Sequence, residues 1–139
     1  MTYQHHPPLV AAAVIVHRRR LLLVRRVRTE PGLVWALPAG KPEGYERLEE
    51  TAERETWEET GLRVKATEHL GDRIHPLTGW SVHYIACTLQ DDTAPKPRLA
   101  EIEEVTWAAH DTLSEHVPGG FDPRVQQYIN TACARPRTS

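Results

Sequence analysis

The chain has 139 residues, of which 40% are hydrophobic and 26% charged, an ordinary globular composition. That length can bury a core without disulfides or structural metal, and a single domain spanning 1–139 is expected. A net charge of −2 argues against nucleic-acid polymers as partners, no run approaches the roughly 18 apolar residues of a membrane span, and no charged-then-apolar leader opens the sequence, so a cytoplasmic protein is expected.

Residues 9–16 (LVAAAVIV) form a short apolar run and predict a buried strand. After HRRR at 17–20, residues 21–24 (LLLV) resume in the same style, which predicts a hairpin with a basic, solvated turn. TEPG at 29–32 is loop chemistry. A brief extended piece at 35–37 leads into 38–44 (PAGKPEG), whose prolines and glycines demand a structured loop. Residues 46–60 hold no Pro or Gly and predict a helix, stopped by Gly61. Strands are expected at 62–66, 70–74, 81–89 and 104–108, with a polar, Pro-rich loop at 91–98. A last helix is expected at 123–134 and a frayed tail at 135–139. Cys87 and Cys133 match no CxxC pattern, and Cys87 lies in an apolar stretch as a buried free thiol. Mixed strands and helices around one sheet place the chain in the α/β class.

The helix at 46–60 carries an oddity. At about 100° per residue, Ala52, Glu55 and Glu59 all fall within about 40° of Leu48, while Trp57 and Glu50 lie opposite. The small and apolar stripe therefore runs into carboxylates, with Glu58 beside them. Two readings stand. One is a solvated acidic helix; the other is a site where a divalent cation relieves the repulsion of acids at i, i+3 and i+4. Carboxylate oxygens without Cys or His ligands select Mg²⁺ or Mn²⁺ over Zn²⁺.

From Gly40 the sequence runs GKPEGYERLEETAERETWEETGL, with Glu46 after five residues and Arg54-Glu55 after seven more. Glu58, Glu59, Gly61 and Leu62 complete it. This resembles the Nudix box, Gly-x5-Glu-x7-Arg-Glu-U-x-Glu-Glu-x-Gly-U, where U is apolar. It departs in Thr56 at an apolar position, in Gly44 two residues before Glu46, and in Ala39 where many members have glycine. The resemblance implies an α/β/α sandwich with a mixed sheet and a loop–helix–loop box. It implies Mg²⁺, with Mn²⁺ as substitute, on Glu55, Glu58 and Glu59, a backbone carbonyl of Ala39 or Gly40, and Glu101. It implies a Glu46–Arg54 pair fixing helix to loop. The general base is either Glu55 or a later acid, Glu101 first and Glu103 next.

The same resemblance makes Arg25 the phosphate-contacting arginine, with Lys41 second. It places Trp35, Phe121 and Asp122 as base-reading candidates; Trp80 and His83 could line the pocket from a central strand, with core packing the default for both. The reaction implied is hydrolysis of a diphosphate bond in a nucleoside diphosphate linked to another moiety, by a monomer or homodimer. The short chain favours a MutT-like nucleoside triphosphate pyrophosphohydrolase, while Leu37-Pro38-Ala39-Gly40 is common among ADP-ribose pyrophosphatases. A non-catalytic nucleotide-sensing domain is the reading from another class.

Overall fold

The computed structural model describes residues 7–27 and 34–134. The loop expected at 29–32 and the tail at 135–139 lie outside those residues. In chain order the elements are β1 (Leu9–His17), β2 (Arg20–Arg26), β3 (Trp35–Ala36), β4 (Ala39–Gly40), α1 (Leu48–Thr60), β5 (Val64–Ile74), β6 (Ser81–Leu89), β7 (Ile102–Ala109), α2 (Leu113–His116) and α3 (Pro123–Cys133). A 3₁₀ turn at His110–Thr112 precedes α2, and neither of these was expected.

The apolar hairpin forms, but its strands part at once. They pair only at Val16–Leu21 and His17–Arg20. Beyond that point β1 runs parallel to β6, while β2 pairs antiparallel with β7 and β3. β4, which belongs to the Gly/Pro-rich loop, pairs with β1 through Ala11–Gly40 and Ala12–Ala39, and Ala13 N–H donates to Pro38 O at 2.8 Å. The loop is therefore ordered by backbone bonds to the central strand, and the sheet runs β3-β2-β1-β6-β5 with β4 on β1 and β7 on β2.

β1 is buried along most of its length because both faces of the sheet are covered. Val10, Ala12 and Val14 face Val125 and Ile129 of α3. Ala11, Ala13 and Ile15 face Ala52 and Leu62, at and just after α1, and the alanines let that helix approach closely. The expected α/β/α arrangement around a mixed sheet is present. Asp122 caps α3, accepting from Arg124 N–H at 2.9 Å, with Pro123 at the first helical position.

Two elements differ from expectation. α1 begins at Leu48, because Arg47 is extended (φ −76°, ψ 156°). Residues 62–66 and 70–74, read as two strands, belong for the most part to the single β5, which crosses register shifts between Ala66 and Glu68 and between His69 and Gly71. A polar stretch looks like a break in sequence, yet backbone pairing to β6 carries it through. Both cysteines are buried and free, and burial pushes the Cys87 thiol up to about 12.

The hairpin turn suggests a stability test. Arg18 and Arg19 both hold positive φ, 51° and 64°, which suits the mirror-image turns of tight hairpins and strains a long side chain. Arg19 is committed, donating through Nε to Cys133 O at 3.0 Å, but among the described residues Arg18 makes only exposed contacts, with Asp92. Arg18→Asn is expected to raise stability by roughly 0.5–1 kcal/mol, read as a higher urea midpoint at unchanged slope; a lower midpoint would refute it.

Candidate active site

The buried face of α1 is wider than the Leu48–Ala52 stripe. Thr51, Thr56 and Thr60 are fully buried beside Ala52. The Thr56 and Thr60 hydroxyls donate to the carbonyls four residues back, to Ala52 at 2.8 Å and to Thr56 at 2.7 Å, while the Thr51 hydroxyl donates to the Glu46 carboxylate at 2.8 Å. Thr56 therefore fills an apolar position of the motif with no unsatisfied polar atom. The acids turn inward with this face: side-chain exposure is 5% for Glu59, 14% for Glu55 and 36% for Glu58.

Arg54 is the hub of the loop–helix junction. Its Nε and Nη2 donate to both oxygens of Glu46, at 2.8 and 3.0 Å. Its Nη1 reaches Glu55 at 2.9 Å and Glu58 at 3.0 Å, and Nη2 also reaches Lys41 O at 2.9 Å. These bonds hold the Glu46 carboxyl down to about 2, helped by Thr51 and the Glu43 N–H. Glu46 is thus an anchor, ionised at every pH of interest.

A second arginine closes the other side. Arg26 Nη2 donates to Glu59 at 2.8 and 3.2 Å and to Ala39 O at 3.4 Å, while Ala39 N–H donates to Glu59 at 3.0 Å. Burial lifts the Glu59 carboxyl to about 7 against the pull of Arg26 and the Ala39 N–H. Glu55 is also raised by burial, against the pull of Arg54. A side chain at Gly40 would overlap the Glu55 carboxyl, so glycine there is a steric requirement.

The donor set fits a hard divalent cation. Three carboxylates and the Ala39 carbonyl supply only oxygen, which suits Mg²⁺ or Mn²⁺. A cationic Arg26 nitrogen already bridges the Glu59 carboxylate and the Ala39 carbonyl, so this spot is shaped to receive positive charge. When ionised, Glu46, Glu55, Glu58 and Glu59 outnumber Arg26 and Arg54 by two charges.

Beside the box lies a cleft of about 470 Å³, in the range of small-molecule sites. Trp35, Trp80, Tyr84 and Phe121 supply aromatic wall; Arg26, Lys41 and Arg73 supply positive charge; Ala39 and Gly40 join it to the box. Lys41 Nζ stands 5.8 Å from the Trp80 ring centre, and Arg73 Nε donates to Tyr84 Oη at 3.1 Å.

Several sequence candidates fall elsewhere. Arg25 does not line the cleft; its Nε stands 3.8 Å from the exposed Glu103 carboxylate, and the neighbouring Arg26 lines it instead. Alternation along β2 and the register shift between Arg25 and Arg26 decide which of the two turns inward. Asp122 is spent on the α3 cap and Arg124, whose hydrogen bond lowers its pKa, and it is not a cleft residue. Glu101 is exposed, and its backbone carbonyl accepts from Val27 N–H at 2.7 Å beside the end of β2. Trp80, expected in the core, lines the cleft, whereas His83 lies off it and bonds His69. Arg26, Arg73 and Tyr84 were missed, and only the adjacency of Arg26 to Arg25 hinted at any of them.

The NUDIX domain model matches residues 7–128 of this chain. A NUDIX hydrolase from Nitrosomonas europaea superposes with a TM-score of 0.72 at 24% identity, covering 92% of this chain and 73% of its own. A MutT NUDIX hydrolase from Burkholderia pseudomallei is 28% identical over 77% of this chain and 86% of its own, at a TM-score of 0.62. An ADP-ribose pyrophosphatase from Streptococcus suis gives a TM-score of 0.63 at 23% identity, over 76% of each chain.

The raised Glu59 pKa has a definite sign. An acid raised in the folded state adds stability below its unfolded value near 4.5, and that stability is lost as pH climbs through about 7. In the presence of chelator, Glu59→Gln should therefore gain on the parent as pH rises from about 4.5 to about 7, by up to a few kcal/mol, and keep that gain above. Urea denaturation across that window checks it; a pH-independent difference would show that Glu59 is ionised throughout.

Proposed function

The chain belongs to the Nudix family of hydrolases, and on that premise we propose that it hydrolyses a diphosphate bond in a nucleoside diphosphate linked to another moiety. A nucleoside triphosphate, oxidised or otherwise modified bases included, is the first substrate class, with a nucleoside monophosphate and pyrophosphate as products. The observation that carries this reading is the continuity of the aromatic cleft with the box: Arg26, Ala39 and Gly40 belong to both. An aromatic wall suits a base, and the cationic end suits phosphates.

Glu55, Glu58 and Glu59, with a carbonyl of Ala39 or Gly40, would hold Mg²⁺, or Mn²⁺ in its place. Such an ion supplies charge neutralisation at phosphate oxygens and a water of lowered pKa. The chain's own residues do the rest. Arg26 and Lys41 bind and orient the phosphates, Arg26 with the planar fork that grips two oxygens at once. Trp35 and Phe121 confine the base. A carboxylate accepts the proton of the attacking water as the new P–O bond forms, and the leaving phosphate takes the electron pair of the bond that breaks. Glu55 is the nearer base candidate, its proton affinity already raised by burial, while Glu101 and Glu103 stand exposed at the start of β7.

A second reading, ADP-ribose or a nucleotide sugar, is favoured by the ordering of Leu37-Pro38-Ala39-Gly40 against β1 and by the fold shared with the Streptococcus suis enzyme. A screen of nucleoside triphosphates, nucleotide sugars, ADP-ribose and dinucleoside polyphosphates with Mg²⁺ or Mn²⁺ separates these readings. No turnover on any of them would favour a nucleotide-sensing role.

On the active substrate, Glu58→Gln should cut kcat by on the order of 10²–10³-fold without unfolding the chain. Arg26→Ala should weaken turnover strongly while Arg25→Ala leaves kcat/KM near the parent value. Equal losses from the two arginine variants would sink the assignment of Arg26.

A further inference from the structure

Away from the cleft, β5 and β6 bring two histidines and an aspartate together. His69 Nε2 and His83 Nδ1 are 2.9 Å apart, and ligand atoms of His69, Asp72 and His83 all lie within 4.8 Å of one another. None of the three lines the cleft, and none bonds a box residue among the described residues.

The backbone explains the grouping. Asp72 pairs directly with His83 across the strands, and His69 pairs with Ile85 two residues on. Positions 69 and 72 are an odd number apart, so a regular strand would put them on opposite faces. The register shift between His69 and Gly71 inserts one extra residue and brings both to the face of His83. Gly71 permits this with φ of 145°, and a side chain there would overlap the Arg124 guanidinium. Ile85 shares this face and packs toward α1, so the cluster sits on the α1 side of the sheet.

We propose that His69, Asp72 and His83 form a second cation site, for a borderline transition-metal dication of which Zn²⁺ is the probe. Two imidazoles and one carboxylate make a donor set unlike the all-oxygen box, and imidazole nitrogen favours Zn²⁺ or Ni²⁺ over Mg²⁺. A tetrahedral ion with bonds of about 2.0–2.1 Å spaces its donors about 3.3 Å apart, so the two nitrogens need part by only a few tenths of an ångström to share one ion. Three protein donors leave positions for water. All three residues are at least partly open to solvent, so the ion can enter. Bound there, it would tie the bulged edge strand β5 to β6, and the chain would gain stability by mass action.

The test is thermal unfolding of the chelator-stripped full chain with Zn²⁺ or Mg²⁺, alongside calorimetric titration with Zn²⁺. With Mg²⁺ present throughout to occupy the box, Zn²⁺ should bind tightly at one equivalent and raise Tm by several further degrees, a shift that more Mg²⁺ does not give. His69→Ala and His83→Ala should each weaken that binding at least tenfold and abolish the Tm shift. Asp72→Asn, which keeps both imidazoles and the fold, should weaken it less. Glu58→Gln should retain it in full. A shift that survives both histidine variants, disappears in Glu58→Gln, or is missing from the parent chain overturns the proposal. Circular dichroism of each variant separates lost binding from lost folding.

Discussion

The Glu59 carboxylate, almost without access to water, ties together three parts of the chain that are remote in sequence. It is carried by α1, bonded by the N–H of Ala39 in β4 and ion-paired with Arg26 at the end of β2. A buried charge costs several kcal/mol unless its hydrogen-bonding capacity is met, so these elements are held in one mutual position. The same constraint fixes the mouth of the cleft, because Arg26 and Ala39 line it. Removing Arg26 would take away one of the groups that hold the Glu59 pKa down against burial, so the carboxyl would bind its proton more tightly still.

Around this tie, the box works as two opposed electrostatic halves. Arg54 binds the loop acid Glu46 and the helix acids Glu55 and Glu58, while Arg26 binds Glu59. Each guanidinium spreads its charge over planar donors that match carboxylates. Repulsion on one helical face is therefore compensated locally, and the cluster can persist at full packing density. The compensation is incomplete, since four acids face two arginines, and this residual negative charge is what a divalent cation would answer.

The early divergence of β1 and β2 makes the site possible. Had the hairpin stayed paired, β2 would have occupied the edge of β1 that receives β4, and Gly40 would not lie against Glu55. The polar loop at 91–98 serves the same assembly from outside. Lys96 and Arg98 N–H groups donate to Thr60 and Glu59 carbonyls at the end of α1, at 2.9 and 3.2 Å. The Arg63 and Arg98 guanidiniums both lie over the half-buried Trp57 ring, 4.8 and 4.3 Å from its centre. The outer face of the helix is thus also partly covered, by cations.

The amino-acid sequence by itself determined whatever depends on spacing along one helix and its flanking loop. The inward turn of Glu55 and Glu59, the stop at Gly61 and the family membership were all legible, because helical periodicity converts sequence separation directly into direction. The buried apolar hairpin and the terminal helix were legible for the same reason of pattern. Tertiary structure alone decided what depends on pairing between strands. It chose Arg26 over Arg25, drew Trp80 into the cleft, spent Asp122 on a helix cap, and merged two expected strands into β5. A one-residue shift in a strand exchanges its faces, and such shifts are set by the partner strand rather than by local sequence. That is why neither the cleft-facing arginine nor the grouping of His69, Asp72 and His83 could be seen before the sheet was assembled.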